Sequence, residues 1–537
     1  MHSDAKERIA TSAGRVSFGT IISRLLGIAR DSVFAAYFGT SYVADAFNLA
    51  FSIPNLLRRI FGEGMLNASY VPVYSQYLHR DGKQAASDLA NKTYSVMLII
   101  LGVVSILGAV FSGFVVKAFA YGWRNSPESF ALTVKLTRVL FPYLAFVGLA
   151  SLASGTLNSL GHFAVPAFAP SMLNIALIGT AFTFMRLGQG SSESMITLFS
   201  YGALLGGLFQ ILIQVPQLVR AGQKFKFDPD FKDAGVRWIG RLMVPSMFSF
   251  AVTQINVLVD TLLATFLPEG SVTALRLGNR IAIQPLGIFA IAITTATLPA
   301  LSEHAAKENR ERLLHDFAFS LKLILAFLIP STIGLMVLAK PLVRVLFERG
   351  EFTAARSTPM TVSAIMFYTI GLFAYGGVKS TVQAFYSVKD TMTPMKVSIF
   401  SMLLNVVLNL ILMRPLKLGG LALATSISAI VAFWMLNVLL KRKLGDIRER
   451  EIWVSAIKLI VASLVMGGVM YVIAHRLEPR AVGLWWELFQ VAAASAVGLA
   501  AFLAVSLALK AEEVIFLLRL IARKLGLDGR PKAGSQA

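Results

Sequence analysis

The chain has no cysteine among its 537 residues. Disulfides, thiol nucleophiles and thiolate metal sites are thereby excluded. Charge is scarce as well: Asp, Glu, Lys and Arg make up 15% of the residues, against about 25% in soluble domains. Acid is the scarcer sign, 29 Asp and Glu against 50 Lys and Arg, for a formal net charge of +21. The six histidines, His2, His79, His162, His304, His315 and His475, are scattered and form no HExxH pattern. No cytoplasmic loop is rich in aspartate, which argues against a metal-dependent enzyme.

Apolar residues fill the space left, at 56% of the chain with mean hydropathy +0.67. Runs of about 18 residues or more recur from end to end, each long enough to cross ~30 Å of hydrocarbon. This predicts an all-α polytopic membrane protein, since a β-barrel would show short alternating strands. In such a chain positive charge reports topology, because Lys and Arg accumulate in cytoplasmic loops. Nucleic acid is not expected as a partner. The first apolar segment is interrupted by Arg24 and Arg30 and lacks an evident cleavage site, so it reads as a span and not as a cleavable signal.

Apolar runs between polar breaks predict about 14 helices, over 15–37, 43–77, 93–120, 132–158, 165–186, 195–219, 239–266, 272–301, 314–339, 360–387, 394–413, 419–440, 453–474 and 485–510. An even count puts both termini on one side. Basic residues in 220–237, in 441–450 and in the C-terminal tail place that side in the cytoplasm. The loop 340–358, with Lys340, Arg344, Arg349 and Arg356, votes the other way. The chain also repeats itself at an offset of about 228 residues. Val71-Pro72 is echoed by Leu298-Pro299, and the segment Ser159 to Pro166 by Ser387 to Pro394. Two parallel six-helix lobes follow, 1–222 and 223–444, related by a pseudo-twofold axis along the membrane normal, which is a transporter architecture. Helices 13 and 14 (445–518) lie outside the repeat, and 519–537 is a basic cytoplasmic tail.

Three arginines fall inside predicted spans: Arg24, Arg58 and Arg280. A guanidinium stays charged, and at mid-bilayer it costs at least roughly 2.5–3.5 kcal/mol. At ~1.5 Å per residue they lie roughly 10–14 Å inside the nearer membrane face. Several arginines at similar depth suggest a cationic cavity for an anion, and their planar fork suits pyrophosphate. The competing reading pairs each with an intramembrane acid, for which Asp31, Asp45 and Glu63 are available. Arg30 lies about 120° round the helix from Arg24, so both face one cavity only if the helix bends, and Gly27 stands between them. Gly62-Glu63-Gly64 reads as a hinge or as a close helix contact.

At these residues the chain resembles the MurJ (MviN) family of lipid II flippases, in the multidrug/oligosaccharidyl-lipid/polysaccharide exporter superfamily. The resembling strings are Ser23-Arg24-Leu25-Leu26-Gly27-Ile28-Ala29-Arg30-Asp31, Ala44-Asp45-Ala46-Phe47, and Pro54 through Gly64 running on to Val71-Pro72. Pro166 through Pro170 and Phe347 through Thr353 match as well. The resemblance covers nearly the whole chain. It implies a 14-helix fold and outward transport of lipid-linked peptidoglycan precursor across the bacterial inner membrane. It implies substrate-binding roles for Arg24, Arg30, Arg58 and Arg280, for the acids Asp45 and Glu63, and for Asn55. Helices 13 and 14 would form a groove for the polyprenyl tail; Trp485 and Trp486 suit that role and equally suit a lipid-exposed packing pair. Lipid II and membrane lipids are the implied partners, together with other cell-wall synthesis proteins.

A sodium site described in part of the family maps onto Asp260, Asn405, Asn409, Leu421 and Thr425. Oxygen ligands suit a hard cation, but Asn409 stands where some members have a second acid, which leaves a polar helix contact as the alternative. A second departure lies near Arg280, flanked by Asn279 and Ile283 where some members have acids. No other cofactor is implied, and the membrane potential is the expected driving force. The alternatives are an exporter of another polyprenyl-linked glycan or amphipathic drug, and a membrane enzyme acting on polyprenyl phosphates. A cationic-drug site would be rich in acids and aromatics instead of arginines.

Overall fold

The computed structural model describes residues 2–58, 65–187, 190–478 and 483–524. Gly62, Glu63 and Gly64 lie outside the described residues. Among the described residues all regular structure is helical. Ten helices among the described residues are long and apolar enough to cross a membrane, or eleven if the pair Ser357–Ile370 and Leu372–Ser387, bent by 40°, is one span. The expected spans 15–37, 43–77 and 239–266 are helical over their described length too. The first two carry Arg24, Arg30, Asp31, Asp45 and Arg58, which lower their apolarity. Length and apolarity alone therefore do not reach fourteen.

The chain divides into two compact units, and the first comprises 1–273 with 346–357. Its helices are α1 (His2–Phe38), α2 (Tyr42–Arg58), α3 (Met65–Arg80), α4 (Gly82–Val110), α5 (Ser112–Phe119), α6 (Pro127–Leu140), α7 (Tyr143–Ser159), α8 (Ala164–Phe168), α9 (Ser171–Leu187), α10 (Ser192–Leu212), α11 (Val215–Arg220) and α12 (Ala234–Ala264). Proline divides several spans, because it cannot donate the backbone bond that would continue the helix: Pro142 separates α6 from α7 and Pro170 separates α8 from α9. Asp233 starts α12 by accepting the N–H groups of Gly235 and Val236 at 2.8 and 3.1 Å. The core centres on Phe199, whose ring lies 5.2 to 5.8 Å from those of Phe34, Phe38 and Phe47. The string Phe347 through Thr353 packs on the end of α1, where the Glu351 N–H donates to the Ala36 carbonyl at 2.9 Å. Gly350 has φ +57, and a Cβ there would fall 2.2 Å from the Ala36 oxygen. The unit runs on to Thr273 because α12 packs on α3 and α4; a Cβ on Gly235 would meet Leu89 at 2.6 Å and Tyr77 at 2.9 Å.

The second unit comprises 274–345 and 358–537. It holds most of α13 (Ser271–Ala282), a π-helical turn (Leu286–Ala290), α14 (Ile291–Ala306), α15 (Arg310–Phe347), α16 (Ser357–Ile370), α17 (Leu372–Ser387), α18 (Met392–Leu416), α19 (Leu418–Leu444), α20 (Glu449–Leu477) and α21 (Leu484–Ala508). A further helix, α22 (Glu512–Lys524), reaches into the segment expected to be a tail. The helices α20 and α21 pack closely, since a Cβ on Gly498 would lie 2.3 Å from Met470. The repeat is visible in the turns. Gly82 and Glu308, Gly161 and Lys389, and Gly222 and Gly445 all have positive φ, each pair about 225 residues apart.

Asp390, in the turn between α17 and α18, fastens the end of α19. Its carboxylate accepts from Lys443 at 2.5 Å and from the Thr393 N–H and hydroxyl at 3.0 and 2.9 Å. The Lys443 ammonium, then the Thr393 N–H, hold its pKa down to about 2. A depressed carboxylate contributes stability above its ordinary pKa and loses it as pH falls through the folded value. Acid titration of purified protein should therefore leave this tie intact down to about pH 4 and release it towards pH 2. In Lys443→Gln the release should begin at higher pH, read from the pH dependence of the melting temperature; an unchanged profile would show that the tie adds nothing to stability.

Candidate functional site

In the first unit, α1 is one helix from His2 to Phe38 and passes Gly27 without a break. The Asn174 amide on α9 donates to the Ser23 carbonyl at 3.2 Å. That carbonyl is the one that would accept from Gly27 four residues on, so the helix is contacted at the expected bend. Arg24 is exposed, whereas Arg30 is buried. Arg30 binds Asp31 through Nε at 3.0 Å and Nη2 at 2.6 Å. The acid-pairing reading therefore describes Arg30, and Arg24 stands on a different face.

Asp45 lies in the first turn of α2 and is 2% exposed. One carboxylate oxygen accepts the Gly270 N–H at 2.7 Å, and the other accepts the Thr273 N–H at 2.8 Å and its hydroxyl at 2.7 Å. Asn48, one turn along, donates to the Thr273 hydroxyl at 2.8 Å. Asp45 thus satisfies backbone donors at the start of α13 that have no partner within that helix. Gly270 has φ +91, and a Cβ there would sit 2.4 Å from the Thr40 oxygen. Near the other end of α2, Arg58 is half-buried and donates from Nε to the Asn55 side-chain oxygen at 2.9 Å.

In the second unit, Arg280 is half-buried in the last turn of α13. The run expected as one helix over 272–301 is interrupted just beyond it, at Pro285 and the π-helical turn. Arg280 therefore sits beside a helix interruption of the kind often found at functional sites. Proline within the apolar run was the available signal. Of the sodium-site residues, Asn405 and Asn409 on α18 and Leu421 and Thr425 on α19 come together. The Asn409 amide donates to the Asn405 oxygen at 2.9 Å, the Asn405 amide to the Thr425 hydroxyl at 3.3 Å, and that hydroxyl to the Leu421 carbonyl at 3.0 Å. Asp260 is half-buried on α12 and belongs to the first unit. Among the described residues no cluster of three His or acidic groups is arranged for a metal. Apolar spacing gave no sign of one further group: Lys322, 7% exposed on α15, lies 3.5–3.6 Å from Glu451, Glu512 and Glu513.

The long apolar helices and the repeat define a polytopic helical membrane protein. An inward-facing multidrug resistance MATE transporter of the MOP superfamily shares the fold, with TM-score 0.65, 17% identity and coverage of 82% of this chain and 99% of that one. The family model for lipid II flippase MurJ matches residues 34–490, and this chain belongs to that family. A probable lipid II flippase MurJ of Vibrio cholerae is 35% identical over 515 residues, 94% of this chain and 96% of that protein. The lipid II flippase MurJ of Burkholderia cenocepacia is 32% identical, over 85% of this chain and 88% of its own length. A solved lipid II flippase MurJ in an inward closed conformation superposes with TM-score 0.75 at 28% identity, covering 94% of this chain and 99% of that chain.

Proposed function

We propose that this protein is a lipid II flippase, moving the undecaprenyl-pyrophosphate-linked peptidoglycan precursor from the cytoplasmic to the periplasmic leaflet of the bacterial inner membrane by alternating access. The observation that carries this is the family match over 34–490 of a 537-residue chain. It is a carrier and not an enzyme acting on polyprenyl phosphates, as are its flippase and MATE relatives. Arg24, Arg58 and Arg280 bind the pyrophosphate, while Arg30, tied to Asp31, sets the local charge and the packing of α1. The basic segments 220–237 and 441–450 support a cytoplasmic position for both termini. Outward movement of an anion is favoured by the membrane potential, at about 2.3 kcal/mol per charge per 100 mV. Other cell-wall synthesis proteins are further partners. Depleting the protein in its host should accumulate lipid II in the cytoplasmic leaflet; an unchanged leaflet distribution, with growth arrested, would overturn the assignment.

Ion coupling is the second part of the proposal. The gathered oxygens of Asn405, Leu421 and Thr425 suit sodium but carry no charge, and the family resemblance assigns the negative charge to Asp260. Asp260→Asn should remove sodium-dependent stabilisation of the purified protein. Asn409→Asp should strengthen it; saturating ion at 100 times its Kd is worth about 2.7 kcal/mol. Equal melting temperatures in sodium and potassium, in both wild type and Asn409→Asp, would leave a hydrogen-bonded helix contact and no sodium site.

A further inference from the structure

The last long span, α21, ends at Ala508, and the chain turns at Lys510, whose φ is +51, into α22. The helix is held where α20 begins and α21 ends. Lys322 on α15 ties Glu451, in the first turn of α20, to Glu512 and Glu513, in the first turn of α22. Lys458 on α20 donates to the Lys510 carbonyl at 3.1 Å. Glu513 is 2% exposed, and Ala511 and Val514 are buried in the same apolar core as α15 and α20. These contacts fix how α22 is rotated. They turn Phe516, Leu520 and Ile521 outward, at 43%, 41% and 51% exposure, together with exposed Arg519 and Arg523. Phe516 and Leu520 are one turn apart, and so are Arg519 and Arg523, so an apolar row and a basic row run side by side.

Neither water nor hydrocarbon suits that face. A helix in water gains nothing from three large exposed apolar side chains, and arginines are costly within hydrocarbon. Both rows are satisfied at the membrane boundary, where apolar groups enter the acyl region and guanidinium groups reach headgroup phosphates. We propose that α22 is an interfacial anchor that binds anionic phospholipid headgroups through Arg519 and Arg523, with Phe516, Leu520 and Ile521 seated among the acyl chains. Charge complementarity and the position beside the ends of two spans identify the occupant as lipid. The assignment does not depend on the substrate that the protein carries.

The native chain has no cysteine, so Leu520→Cys in the full-length protein accepts one environment-sensitive fluorophore. The labelled protein is placed in nanodiscs containing brominated phosphatidylglycerol or, at the same mole fraction, brominated phosphatidylcholine. Phosphatidylglycerol should quench more strongly. That preference should fall about fivefold for each of Arg519→Gln and Arg523→Gln and weaken in high salt. Quenching by phosphatidylcholine should persist in the variants, which shows that α22 stays folded at the boundary. Equal quenching by the two lipids in the wild-type background would reduce α22 to a non-selective apolar anchor and overturn the headgroup site. Absence of quenching by either would place this face in water or against a protein and overturn the anchor altogether.

Discussion

Arg24→Ala, Arg58→Ala and Arg280→Ala are each expected to abolish complementation of a strain depleted of its own flippase, with normal membrane insertion. Arg24 is exposed, and Arg58 and Arg280 are half-buried; removing any of them takes away a charge that the proposed function assigns to the pyrophosphate, without opening the apolar core. Lysine replacements should rescue partly, because an ammonium is a point charge without the bidentate fork. Arg30→Ala should fail for another reason. Its partner Asp31 would remain as a buried carboxylate without its guanidinium, a loss of about 3–5 kcal/mol for a broken buried pair, so the variant should be depleted from the membrane. Arg30→Leu combined with Asp31→Leu should recover the protein level, since apolar replacement of a whole buried pair is often neutral. Full complementation by all three single alanine variants at normal expression would sink the anion-binding role. Normal levels of Arg30→Ala would show that its tie to Asp31 is not structural.

The second large effect is expected at Asp45. Asp45→Ala removes the acceptor for the Gly270 N–H, the Thr273 N–H and the Thr273 hydroxyl together. Bonds to a charged group contribute about 1.5–3 kcal/mol each, so the variant should melt well below wild type and become sensitive to proteolysis around 265–275. Asp45→Asn keeps one acceptor oxygen and should fall between the two. The family resemblance implies instead that Asp45 acts on the substrate. The two roles separate cleanly: an Asp45→Ala protein that melts like wild type yet transports nothing would assign Asp45 to the substrate and reject the capping role.

The strings that carry the resemblance are legible in part because some of their residues have a local task. Gly350 must be glycine where its backbone meets Ala36, and Asp45 must be an acid where two N–H groups point at it. The interruption beyond Arg280 is foreshadowed by Pro285, yet the apolar pattern runs straight through it, because the residues on both sides are apolar. Helix α22 is put by the sequence pattern in a basic tail only at its end, from Arg519 on, because its apolar stretch is too short for a span and its arginines break the run. It is helical where one face finds the core of α15 and α20.

The sequence by itself determined the class of protein, the approximate places of its spans and the identity of its family. Hydrocarbon demands long apolar helices whatever their neighbours, and the repeat is written in the order of residues. The tertiary structure alone decided which charges are engaged with which partners. Arg24 and Arg30 are six residues apart and chemically identical, yet one is exposed and the other is tied to Asp31. Asp45 and Thr273 are 228 residues apart, and nothing in either segment announces the bond between them. Apolarity is a property of each residue and can be read along the chain. The pairing of a buried charge depends on which distant donor or acceptor folding brings within about 3 Å, and that distance exists in the folded molecule alone.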